Sequence, residues 1–163
     1  MLPENKKKNN ESAIGKYKRI LVAVDGSDNA RRAAAAAMTI CEKFGAELSI
    51  LQVVIRPTSA RGMNVRLGPM MQDYHANIVK QAEKEIRQLY TLAKSRHLRV
   101  TAEVLDYTHS YSVVEGILDY AAGKGVDLIV VGTRGLGGFK KLIMGSVSSG
   151  IINHAYCSVL VVR

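Results

Sequence analysis

The feature that most constrains this chain is a regular alternation of short β-prone runs with amphipathic helical segments. Ile20-Leu21-Val22-Ala23-Val24 is a continuous β-prone run. It closes in Asp25-Gly26-Ser27-Asp28, a turn that leads into a helix N-cap. A helix is expected from about Asn29 to Phe44. Ala30, Ala33, Ala34, Ala37, Met38, Cys41 and Phe44 repeat there at helical spacing on one face, and Gly45 stops it. So many alanines predict close packing on a flat sheet. Leu48 to Val54 reads as the second strand. A loop over 55–70 follows, with Pro57, Gly62, Gly68 and Pro69, and with Arg56, Arg61 and Arg66 but no acid.

The longest helix is expected from Met71 to about Arg96, with Met71, Tyr74, Ile78, Ala82, Ile86, Leu89 and Ala93 as its apolar stripe. Arg99 to Leu105 alternates, which suits an edge or half-exposed strand. Ser112 and Glu115 have capping-box spacing, and Gly123 or Gly125 ends the helix they open. Val126 to Val131 reads as a central strand buried on both faces. A short helix from about Ser146 to Ala155 and a last strand from Cys157 to Val162 complete the series.

This βαβαβαβαβ order demands a parallel sheet with right-handed crossovers and helices on both faces. In such sheets a ligand sits beyond the carboxyl ends of the strands, where the strand order reverses. The loops after Val24 and Val131 are therefore the candidate site. The second of them is rich in glycine: Gly132, Gly135, Gly137, Gly138, Gly145 and Gly150 fall between a buried strand and a helix. Glycines there let backbone approach a ligand closely, and free N–H groups at a helix start cradle phosphate. Ser146, Ser148 and Ser149 add hydroxyls; Arg134, Lys140 and Lys141 add charge. The segment is neither a Walker A loop nor a dinucleotide fingerprint.

The spacing Gly132-x2-Gly135-x9-Gly145-Ser146 matches the ATP-binding motif G-x2-G-x9-G-[ST] of universal stress proteins. Ile20 to Ser27 resembles their first strand and acidic turn, Asp127 to Gly135 the strand before the motif, and Ser158 to Val162 their closing strand. The resemblance runs from about residue 17 to 163 and points to the nucleotide-binding branch of the family. It implies an α/β fold, a doubly wound five-stranded parallel sheet of order 3-2-1-4-5, of the adenine nucleotide alpha hydrolase-like type. It also implies a homodimer through the C-terminal strand. By family position, Ala23, Val24 and Asp25 border the adenosine, and Leu48 and Val131 line the adenine slot. Gly132, Gly135, Gly145, Ser146, Val147 and Ser148 wrap ribose and phosphates. A carboxylate at Asp25 can accept hydrogen bonds from adenine or a ribose hydroxyl.

Length and charge bound the alternatives. The 163 residues suffice for one domain. Residues 1–17 are polar, Lys- and Asn-rich and without apolar period, so they read as a flexible tail before a domain over 18–163. No apolar run approaches a membrane span, and the polar start shows no secretory signal, so a cytoplasmic address is expected. The net charge of +9 favours anionic partners without choosing among them. Scarce aromatics and the lack of a recognition motif argue against nucleic acid.

No catalytic set is evident. His75, His97, His109 and His154 are scattered and read as surface or helix-end residues, and Cys41 as core. No metal site is visible, so Mg²⁺ would arrive with the triphosphate. The expected function is an ATP-binding sensor or signalling module with slow or no hydrolysis and a signalling partner the sequence does not name. Two alternatives stay open: a basic nucleic-acid-binding protein, which ranks last, and an ATP-using enzyme of related fold, adenylating or ATP-hydrolysing. That class needs a serine- and glycine-rich loop after the first strand, which Asp25-Gly26-Ser27-Asp28 lacks.

Overall fold

The computed structural model describes residues 17–56, 69–108, 112–133 and 144–163. The described elements run β1 (Arg19–Ala23), α1 (Asp28–Phe44), β2 (Glu47–Arg56), α2 (Pro69–Ser95), β3 (Arg99–Thr108), α3 (Val113–Lys124), β4 (Leu128–Gly132), α4 (Ser146–His154) and β5 (Ser158–Val162). The five strands form one parallel sheet of order β3-β2-β1-β4-β5. The expected fold and strand order are therefore observed.

Two apolar layers hold the sheet. Alternate strand residues Ile20, Val22, Leu48, Ile50, Leu128 and Val130 pack under α1 and α2. Leu21, Leu51, Ile129 and Val131 pack under α3 and α4. β1 and β4 are apolar at nearly every position because both of their faces are covered. Ala30, Ala33, Ala34 and Ala37 of α1 are all buried, which brings that helix close to the sheet. Cys41 lies on the same face as expected, and burial, with a smaller push from Glu42, raises its thiol pKa to about 12.

Local chemistry sets most helix ends. Ser27 caps α1 by accepting from the Ala30 N–H at 3.2 Å. Ser112 and Glu115 form the expected capping box on α3. Gly125, not Gly123, ends α3. It adopts the left-handed φ of 61° that a side chain would resist, and its N–H reaches the Ala121 and Ala122 carbonyls. Val126 is drawn into that closure by its bond to the Ala121 carbonyl, so β4 starts at Leu128 rather than at 126. Asp127 accepts from the N–H groups of Lys18 and Arg19 at 2.9 and 3.2 Å, which aligns β1 with β4.

Three expectations need correction. Tyr17 is not free tail: its ring meets Phe44 edge-on, with centroids 5.6 Å apart. α2 begins at Pro69, and its N-terminal stripe is rotated from the expected one. His75, Ala82, Ile86 and Ala93 are buried, while Met71 and Tyr74 are exposed. Both stripes pass through Ala82, and the rotation puts a histidine where the sequence suggested tyrosine. The third correction follows: His75 is not a surface residue but is 5% exposed.

Candidate functional site

The strand order reverses between β1 and β4, which lie side by side with Ala23 opposite Val131. Beyond their carboxyl ends stand the turn over Asp25, Gly26 and Ser27 on one side and the first turn of α4 on the other. Ala23 ends β1 half-buried, and Val24 is buried with its N–H on the Leu51 carbonyl at 2.9 Å. Asp25 is half-buried, and its Oδ1 accepts from the Ser27 N–H at 3.1 Å. Gly26 has a φ of 82°, and the carboxylate of Glu85 from α2 occupies the space a Cβ would need.

On the β4 side, backbone bonds fold the chain into a tight corner. The Thr133 N–H donates to the Val162 carbonyl at 2.7 Å, and the Gly145 N–H donates to the Thr133 carbonyl at 2.7 Å. Thr133 thus ties the end of β5 to the N-cap of α4. Gly145 caps α4 without a side-chain hydrogen bond to the first turn, where Ser146 is exposed and Val147 half-buried. That turn carries the orphan N–H groups and positive end of the helix dipole. Such a helix start can receive an anion, and Asp25 across the reversal can accept hydrogen bonds from a polar ligand.

The expected site residues do not all converge. Ala23, Val24, Asp25, Val131, Gly132, Gly145, Ser146, Val147 and Ser148 all lie at the strand reversal or on the first turn of α4. Gly135 lies outside the described residues. Leu48 is a correction: it pairs with Ile20 and Val100 near the amino end of β2 and is buried in the α1–α2 layer. It stands three residues before the register position of Ala23, about 10 Å away along the strand. At the carboxyl end, the β2 residue facing the α4 side is Val53. No signal in an apolar run distinguishes Leu48 from Val53; only register does.

Two further assignments change. Ser148 is buried, and its hydroxyl donates to the Gly132 carbonyl at 2.6 Å, so its proton is committed within the chain. Gly132 is small for a reason internal to the fold. A Cβ there would lie 2.9 Å from the Asn29 carbonyl carbon and 3.1 Å from the Ala30 nitrogen, on the first turn of α1. A valine at 132 therefore disturbs packing within the fold itself.

A cluster not predicted from the sequence joins His75 and Arg56 to Asp106 at the ends of β2 and β3. His75 Nε2 lies 2.9 Å from Asp106 Oδ1, and Arg56 donates to Asp106 Oδ2 at 3.0 Å. Burial pushes the Asp106 carboxyl up, but the hydrogen bonds and charges of His75 and Arg56 outweigh it and hold the carboxyl below its ordinary range.

The family model described as "Universal stress protein family" matches residues 16–163. The chain belongs to the universal stress protein family. Universal stress protein YxiE of Bacillus subtilis is 35% identical over 153 residues, which cover 90% of this chain and 99% of the relative. The solved structure of universal stress protein UspA from Lactobacillus plantarum superposes with a TM-score of 0.80 at 29% identity, covering 91% of this chain and 99% of that one. A universal stress protein solved in complex with cAMP superposes with a TM-score of 0.62 at 24% identity, covering 91% and 99%. Gly132 and Gly145, the described glycines of the motif spacing, stand at the end of β4 and at the N-cap of α4.

Proposed function

We propose that this universal stress protein binds an adenine nucleotide, ATP in the first place, at the β1–β4 reversal, and acts as a nucleotide-dependent sensor or signalling module in stress response. One observation carries the reading. The first turn of α4, capped by Gly145 without a side-chain bond, opens beside Gly132 at the carboxyl ends of the central strands. The motif spacing and a family relative that holds cAMP support an adenine nucleotide in particular.

In this reading the N–H groups of Ser146, Val147 and Ser148 hold phosphate, with the Ser146 hydroxyl beside them. Asp25 accepts from the adenosine, and Val131 and Val53 flank the base. Among the described residues no group of three or more His, Cys, Asp or Glu side chains could hold a metal ion, so Mg²⁺ is read as arriving on the triphosphate. Hydrolysis is slow or absent, and the nucleotide state is passed to a signalling partner. The protein acts as a cytoplasmic homodimer paired through β5.

Calorimetric titration with ATP and Mg²⁺ tests this. Saturable binding near one ATP per chain is expected. Asp25→Ala is expected to weaken it by roughly 1–3 kcal/mol through loss of a hydrogen bond to the ligand. Ser146→Asp places a carboxylate against the phosphates at a position where acid favours the helix, so affinity falls while the fold holds. No saturation in the wild type, or equal affinity in both variants, overturns the site.

A further inference from the structure

We propose that the first turns of α2 form a strap that opens and closes as a unit at the ends of β2 and β3, latched by His75 on Asp106. Residues 69–81 are helical but are scarcely held by apolar packing. Met70, Met71 and Tyr74 are exposed, and Ile78 and Val79 are half-buried outside both apolar layers. His75 is the one buried residue of this stretch. The buried apolar positions of α2 begin at Ala82 and continue through Ile86 and Ala93.

Local chemistry does not make up the difference. Asp28 and Glu115 give α1 and α3 an acid in the first turn, whereas α2 has none there. Asp73, Tyr74, His75 and Asn77 are all weak helix formers. A helical stretch with neither strong propensity nor a buried apolar face depends on tertiary contact. Here that contact is polar. His75 Nε2 lies 2.9 Å from Asp106 Oδ1, and Arg56 holds the other carboxylate oxygen at 3.0 Å.

Two opposing costs make the latch reversible. Closure gives His75 a charge-assisted hydrogen bond to the Asp106 carboxylate. It also leaves His75 Nδ1 buried without a hydrogen-bond partner among the described residues. Opening gives up the first and returns Nδ1 to water, so gain and loss oppose each other. A segment balanced in this way belongs to the low-stability end of a fold, where local opening precedes global unfolding. The strap also forms one wall of a cleft of about 750 Å³, through His75, Ala76 and Val79, with Arg56 and Asp106 at the strand ends. Opening widens that cleft and exposes the imidazole.

Native-state amide hydrogen exchange of the full chain, read residue by residue over a urea series below the unfolding transition, tests the device. The amides of residues 75–81 are expected to share one opening equilibrium. It should lie further towards the open form than that of residues 88–94 and respond less steeply to urea. Asp106→Asn replaces a charged acceptor by a neutral one and is expected to speed exchange over 75–81 about tenfold. Ile86→Val loosens the core beyond the strap and is expected to speed exchange over 88–94 severalfold while leaving 75–81 unchanged. Circular dichroism establishes that each variant is folded. The proposal is overturned if protection declines residue by residue towards Pro69, as in simple fraying, or if the whole helix exchanges through one equilibrium. It is equally overturned if Asp106→Asn leaves 75–81 unchanged, or if Ile86→Val speeds both stretches alike.

Discussion

The Ser148 hydroxyl donates to the Gly132 carbonyl at 2.6 Å and thereby fastens the first turn of α4 to the last residue of β4. This bond, with the two backbone bonds of Thr133, holds the corner from which the α4 N–H groups face outward. Because Ser148 is 4% exposed, Ser148→Ala leaves the carbonyl without that partner in a place water reaches poorly. A loss of about 1–3 kcal/mol in urea unfolding is expected. An unchanged midpoint would mean the corner is held by the backbone alone.

Gly132→Val should be destabilising in its own right. Its Cβ would meet the backbone of Asn29 and Ala30, which belong to a capped helix and cannot swing aside like a surface side chain. Overpacking of this kind costs about 1–3 kcal/mol. Urea unfolding of the nucleotide-free variant measures it. A wild-type midpoint combined with lost ATP binding would show that the glycine is kept for the ligand only.

Acid should weaken the hold of α2 on β3. The Asp106 carboxyl is held below its ordinary value of 3.8 in the folded chain, so the folded state binds protons less readily than the unfolded one. The pairing therefore contributes stability above that value, and the contribution fades as pH falls through the lower folded value. Asp106→Asn is expected to lower the urea midpoint at neutral pH and to lose less on acidification than the wild type. Parallel curves for the two proteins from neutral pH to pH 3 would contradict the assignment.

The edge strand β5 invites pairing with a second copy. Val159, Leu160, Val161 and Val162 are only half-buried, β5 has β4 as its one neighbour, and Ile152 and Tyr156 beside it are exposed by 44% and 58%. Sedimentation equilibrium at micromolar concentration is expected to report a dimer. Ile152→Lys with Tyr156→Lys should shift it to monomer by bringing like charges together. A wild-type monomer throughout would remove β5 as the interface.

The elements could be read without tertiary information wherever local chemistry decides. The alanine stripe of α1, the caps at Ser27 and Ser112, and the doubly apolar runs of β1 and β4 each report a state that neighbours in sequence already determine. Their alternation then restricts the chain to a parallel sheet, and the glycine spacing marks the loop at its reversal. What depended on tertiary structure was everything set by register and helix rotation. A strand does not say which of its apolar residues stands at the carboxyl end; pairing with Ile20 put Leu48 at the other end and left Val53 nearer the carboxyl end. The stripe of α2 holds at Ala82, Ile86 and Ala93 but does not say which residue of the first turns is inward; docking on β3 buried His75 against Asp106 and exposed Tyr74. A glycine does not say whether ligand or protein needs its space; at Gly132 the backbone of α1 already claims it. Local patterns settle at the scale of a turn, whereas these choices balance contacts between residues distant in sequence, which no short window of the chain contains.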